Sequence, residues 1–120
     1  MNLDFISKMN TSNFYTYQPD ILGNGYQQLT LNFADDYDGK VVATLVRKKA
    51  AQSTKKAVLY VHGFTDYFFQ KEMAEQFNQH GYDFYALDLR KYGRSKLPHQ
   101  TLYYVRDLRE YDAEISKSLE

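Results

Sequence analysis

Ala57-Val58-Leu59-Tyr60-Val61-His62-Gly63-Phe64-Thr65 and, further on, Leu87-Asp88-Leu89-Arg90-Lys91-Tyr92-Gly93-Arg94-Ser95 are the stretches whose reading decides the fold. The first opens with an unbroken apolar run, the pattern of a parallel strand covered on both faces, and leaves it through His-Gly-aromatic. Between the two stretches, a segment from Asp66 to His80 carries Phe69, Met73 and Phe77 at a spacing of four, and Gly81 follows in the position that relieves a left-handed cap. This spacing predicts an amphipathic helix with Phe69 on its core stripe. Phe84-Tyr85-Ala86-Leu87 then reads as a second short buried strand. Strand, helix, strand in that order predicts a right-handed βαβ unit with parallel strands and helices on the sheet faces.

Upstream, Tyr26 to Phe33 alternates, with Leu29, Leu31 and Phe33 on one side and Gln28, Thr30 and Asn32 on the other. That is a half-buried strand. Ala34-Asp35-Asp36-Tyr37-Asp38-Gly39 is read as the turn, and Lys40 to Val46 as the returning strand. Two strands so close in sequence must pair antiparallel, because a parallel return needs a crossover of roughly a dozen residues. Residues 1–24 are rich in Asn, Ser, Thr and Tyr, without a period, and close on Pro19-Asp20 and Gly23-Asn24-Gly25, so they are read as a largely irregular arm before a domain over 25–120. Residues 48–56 are charged and small, a surface loop.

Downstream, Tyr104, Leu108, Tyr111, Ile115 and Leu119 follow one helical stripe, with Asp107, Arg109, Glu110, Asp112, Glu114 and Lys117 opposite. The helix is expected from about Leu102, and it reaches the last residue without a closing Gly, Asn or Pro. It is read as cut before the strand that should follow a crossover helix.

Composition narrows the function classes. The 120 residues are 43% hydrophobic and include 12 Tyr and 8 Phe, enough apolar material to build one core. Fifteen basic residues balance fifteen acidic ones, and Lys and Arg gather only at 47–49 and 55–56, so nucleic acid is not expected as a partner. Cysteine is absent, which excludes disulfides and thiolate metal sites. The N-terminus lacks a basic and apolar leader pattern, and no run of about 18 apolar residues occurs. A cytoplasmic protein without a transmembrane segment is expected.

The order and spacing over about residues 26–119 resemble the α/β-hydrolase fold family. A buried strand ending in His62-Gly63-Phe64, a helix, and a strand ending in Asp88-x-Arg90-x-x-Gly93-Arg94-Ser95 are similar to the branch of monoacylglycerol lipases, lysophospholipases and serine aminopeptidases (S33). The resemblance implies the N-terminal part of a serine hydrolase acting on a small ester or lipid, or on peptide N-termini. It implies that the catalytic Ser, Asp and His lie beyond residue 120, so that this stretch alone is inactive. It also implies an oxyanion hole made of two backbone N–H groups, one contributed by the loop after the third strand. Phe64 N–H is the expected donor, with His62 shaping the loop and Gly63 letting the chain pass close to the substrate. Asp88, Arg90, Gly93, Arg94 and Ser95 match the family's structural loop behind the site, whereas Lys91-Tyr92 replaces its usual Gly-His pair. Asp88 and Arg90 are expected to form a local ion pair. Phe64 and Phe68 are candidates to line an acyl pocket.

Other readings fail on context. Ser95 lacks the second Gly and the immediate helix of a nucleophile elbow. Gly23-Asn24-Gly25 precedes a strand instead of following one, so it is no dinucleotide fingerprint. His80 beside a helix end and His99 in a loop show no partner constellation, and no His/Asp/Glu spacing suggests a metal. No cofactor is implied. The alternative is a small non-enzymatic α/β module that self-associates or binds a protein through an open sheet edge.

Overall fold

Five strands form one mixed sheet in the order β1-β2-β3-β5-β4. They are β1 (Gln18–Pro19), β2 (Gln27–Asp36), β3 (Gly39–Lys48), β4 (Ala57–Val61) and β5 (Asp83–Asp88), with helices α1 (Lys71–Gln79) and α2 (Asp112–Ser118). The structure is a computed structural model and describes residues 16–64 and 66–120. The first 15 residues of the expected arm lie outside the described residues; within the remainder, Gln18 and Pro19 pair with Gln28 and Gln27.

The hairpin forms as its alternation requires, β2 antiparallel to β3 with Leu29 opposite Leu45 and Leu31 opposite Ala43. Its turn is shorter than expected. β2 continues through Ala34-Asp35-Asp36 across an irregularity between Phe33 and Asp36, and only Tyr37 and Asp38 turn. The Asp36 side chain accepts from the Asp38 N–H at 2.7 Å and closes the turn from inside the strand.

β4 and β5 pair parallel, as the intervening helix demands, but β5 lies between β3 and β4, antiparallel to β3. The strand covered on both faces is therefore β3, buried from Val41 to Val46, and not β4. β4 is the edge: Val58, Leu59 and Tyr60 are half-buried, Ala57 and Val61 are exposed, and no described strand pairs with its far side.

Apolar clusters cover both faces. One gathers Tyr26, Val46, Phe68, Ala74, Phe84 and Ala86, with Met73 and Phe77 of α1 against it. The other gathers Leu29, Leu31, Leu45, Leu87, Leu89 and Tyr92, with Tyr111 and Ile115 from the α2 end. α1 closes as its sequence predicts: Gly81 N–H bonds Asn78 O and Tyr82 N–H bonds Phe77 O at 3.0 Å each, with Gly81 at φ +86°. This is the paired 5→2 and 6→1 pattern, with the Tyr82 ring edge-on to Phe77 as its apolar contact.

Both helices start later than expected. Residues 66–70 are irregular, because the Phe68 N–H is taken by Asp88 Oδ1 at 2.8 Å and its ring turns into the core. Phe68 is completely buried and Phe69, expected there, is 51% exposed against Tyr67. The last helix begins with a 3₁₀ turn over Leu108–Tyr111, not at Leu102. Asp107 accepts from Arg109 N–H at 2.9 Å, and its own N–H donates to Glu110 at 3.1 Å, a capping box that fixes the start. Tyr104, Leu108 and Leu119 are exposed, and Glu114, assigned to the solvent face, is fully buried.

Candidate active site

Because β4 and β5 are parallel, their C-terminal ends deliver two loops to the same end of the sheet, one beginning at His62 and the other at Leu89. His62 is buried and spans the two. Leu89 N–H donates to its Nε2 at 3.0 Å, so the ring proton sits on Nδ1 and is donated to Gly63 O at 2.8 Å. The imidazole is thereby committed to holding the loop's shape.

Gly63 is exposed, and its backbone is outside the left-handed region. Apart from its chain neighbours, a Cβ built on it would meet nothing within 4 Å among the described residues. Among the described residues, nothing makes a steric demand for glycine here, and its φ makes no conformational one. Phe64 is 74% exposed, its ring edge-on to Tyr103 at 5.5 Å. Beneath this loop lies a mostly apolar recess of about 430 Å³ bordered by His62, Phe64, Leu89, Tyr92, Tyr103 and Leu108. Tyr111 also faces it, its phenol pushed above the ordinary tyrosine range by burial and then by the Tyr92 hydroxyl. Phe68 takes no part, since it packs among Tyr26, Tyr60 and Phe84 on the α1 face.

The second loop is tightly built. Arg94 binds Asp20 through two nitrogens at 2.6 and 2.9 Å, and reaches Asp88 Oδ2 and Phe68 O at 2.9 and 2.8 Å. Burial would raise the Asp20 carboxyl, but the hydrogen bonds from Arg94 and the Leu22 N–H, with the guanidinium charge, outweigh it and hold it below the usual carboxylate range. Ser95 is fully buried and donates to Asp88 O at 2.6 Å. Gly93 stands at φ +41°, and a Cβ there would come within 2.6 Å of Tyr67 Cβ and 2.8 Å of Asp88 Oδ2.

The expected Asp88–Arg90 pair does not form. Each side chain is taken by other partners: Asp88 has Arg94, whereas Arg90 binds Glu114 of α2 and lies 3.7 Å from Asp36 and 3.8 Å from Glu110. Lys91 and Tyr92 account for the departure from the family's Gly-His. Lys91 adopts the left-handed conformation at φ +67°, where glycine is the easy choice. Its fully buried ammonium binds Asp36 at 3.0 Å and Asp38 at 3.2 Å. Tyr92 packs against His62 in a tilted arrangement with ring centroids 4.5 Å apart.

His80 Nδ1 pairs with Gln76 O at the end of α1, and His99 Nε2 with Lys40 O, both away from the recess. Among the described residues no group of three or more His, Asp or Glu side chains could hold a metal ion, and no helix is long and apolar enough to cross a membrane. Sequence reasoning missed Tyr92 and Tyr103 as site residues, because loop rings have no period to read, and it placed Leu108 on a helical stripe instead of at the recess. It also missed Asp20, which reads as an ordinary turn residue. A family model described as serine aminopeptidase, S33, matches residues 52–119, more than half of the chain and all of both loops. No curated protein matches it significantly.

Proposed function

The chain belongs to the serine aminopeptidase S33 family of α/β-hydrolases, and from that premise we propose that it forms the oxyanion side of a serine hydrolase for carboxylic esters of the monoacylglycerol or lysophospholipid kind. Attack of a serine hydroxyl on the acyl carbon places negative charge on the carbonyl oxygen. The Phe64 N–H and the N–H following the nucleophile would hold that oxygen. In this reading the Ser, Asp and His are supplied by sequence beyond Glu120, and the recess beside Phe64 receives the apolar part of the substrate.

The observation that carries the proposal is the unused space at Gly63. A glycine required by its own loop shows a left-handed φ or a neighbour that a Cβ would strike, as Gly93 does. Gly63 shows neither, yet it opens the segment between a pinned histidine and the recess. Room for a ligand explains a glycine that the fold does not.

The test uses the protein as its gene makes it, assayed against p-nitrophenyl esters of increasing acyl length, a monoacylglycerol, a lysophospholipid and an aminoacyl p-nitroanilide. Ester hydrolysis is expected, with Gly63→Val lowering kcat/KM about 100-fold or more at unchanged Tm. Hydrolysis of the anilide alone would move the substrate class to peptide N-termini. No hydrolysis, or full activity in the valine variant, would overturn the proposal.

A further inference from the structure

Tyr103 has a backbone that its residue type disfavours, at φ +63°. For a bulky residue this conformation is strained, and such outliers persist where the surroundings over-determine them. Tyr103 N–H donates to Lys91 O at 3.2 Å, so its strained backbone is tied to that of Lys91, also left-handed at φ +67°. The consequence lies in where the ring goes. It packs against Tyr92 at a tilt of 31° with centroids 4.6 Å apart and meets Phe64 edge-on at 5.5 Å. Tyr92 in turn lies on His62. The rings thus run His62, Tyr92, Tyr103, Phe64, leaving the loop at its first residue and returning to it two residues later.

We infer that Tyr103 is a positioning residue for the oxyanion loop: its left-handed turn brings its ring against Phe64 and fixes the peptide that carries the Phe64 N–H. The inference rests on the reading of that N–H as an oxyanion donor. It follows from how the loop is otherwise held. His62 is fixed through Leu89, and Gly63 O through His62 Nδ1. Phe64 extends outward at 74% exposure, and the Tyr103 ring packs edge-on against it. A donor must stay within a few tenths of an ångström of its aim to serve a transition state, so a ring clamp at this residue acts on kcat more than on substrate affinity.

The test compares Tyr103→Ala, Tyr103→Phe and Tyr103→Gly. In the protein as its gene makes it, Tyr103→Ala is expected to lower kcat for a p-nitrophenyl ester about 10- to 100-fold with KM changed less than about threefold, and Tyr103→Phe to recover most of that loss. Tyr103→Gly suits the left-handed backbone and is expected to melt at or above the alanine variant, yet to lose the same kcat. In the full 120-residue chain, the ¹⁵N order parameter of the Phe64 amide is expected to fall from about 0.85 toward about 0.6 in the alanine and glycine variants but not in the phenylalanine variant. An unchanged order parameter, or a kcat loss that follows Tm instead of the ring, would overturn the inference. A wild-type protein without esterase activity would remove the oxyanion reading, and the order parameter would still decide whether Tyr103 fixes Phe64.

Discussion

The two loops that leave β4 and β5 stand side by side and are built on opposite plans. The loop after β5 is closed by charge: Arg94 is shared between two completely buried carboxylates, and Gly93 has side chains pressed against its α-carbon. The loop after β4 has the His62 imidazole, the Tyr103 ring against Phe64 and the Tyr60 hydroxyl on Asp66 among its supports, and around Gly63 there is open space among the described residues. Each contains a glycine, and the two glycines answer to different demands. Gly93 is needed for the chain to fold; Gly63 is needed, on our reading, for something to approach. Substitutions can break this contrast, because it assigns large folding effects to one loop and small ones to the other.

The largest effect is expected from Arg94→Met. It leaves Asp20 and Asp88 buried without their cation, and breaking a buried pair in this way costs about 3–5 kcal/mol. Chemical denaturation measures it, and a loss below about 1 kcal/mol would show that the loop is not closed by charge. Gly93→Ala comes next, at about 2–3 kcal/mol, combining a disfavoured φ with contacts under 3 Å to Tyr67 and Asp88.

An intermediate effect separates the Arg94 centre from the other buried charges beside it. Asp36, like Asp20, is held below the usual carboxylate range: burial opposes this, but the Lys91 ammonium and the Asp38 N–H prevail. A lowered folded value means stability that is present above the unfolded value of about 4 and lost as pH falls through the folded one. Glu114 runs the other way, raised by burial that Arg90 only partly offsets, with Glu110 adding repulsion. Its Oε2 is buried without a hydrogen-bond partner among the described residues. A raised folded value means stability present below the unfolded value of about 4.3 and lost as pH rises. Glu114→Gln is therefore expected to gain on wild type between pH 4 and pH 7, by about 1 kcal/mol for each unit that the carboxyl is raised. The loss below pH 4 remains in both proteins, since Asp20 and Asp36 cause it. Parallel curves from pH 4 to 7 would remove the assignment to Glu114.

What the sequence could and could not show follows from the range of the forces involved. The hairpin, the parallel pair and the cap at Gly81 were legible because alternation, crossover length and a left-handed glycine are local. The misplaced features were decided by distant partners. Helical spacing selected Phe69 for the core, but Asp88, 20 residues away, takes the Phe68 N–H and turns Phe68 inward instead. Ala34-Asp35-Asp36 reads as a turn, yet Asp36 stays in its strand to meet Lys91. Glu114 reads as solvated because nothing near it reveals Arg90, 24 residues earlier. In the site, His62-Gly63 was visible as a motif, whereas the Tyr92 and Tyr103 rings that support it come from irregular chain.

The smallest expected effect is the most informative about Gly63. Gly63→Ala adds a methyl group where, chain neighbours apart, nothing lies within 4 Å among the described residues, and the glycine's φ is not in the left-handed region that alanine avoids. In a fold with no use for the empty space, alanine is neutral or slightly stabilising, because it lowers the entropy of the unfolded chain by about 0.4–1 kcal/mol. Denaturant midpoints of the full chain should therefore be equal or slightly higher in the variant. A loss above about 1 kcal/mol would mean that the space is filled from within the protein. Gly63 would then join Gly93 as a residue of the fold, and the contrast between the two loops would disappear. A neutral result leaves the open space to be explained by what enters it, and the same substitution assayed for ester hydrolysis then reports on the approach of substrate without a folding defect to confuse it.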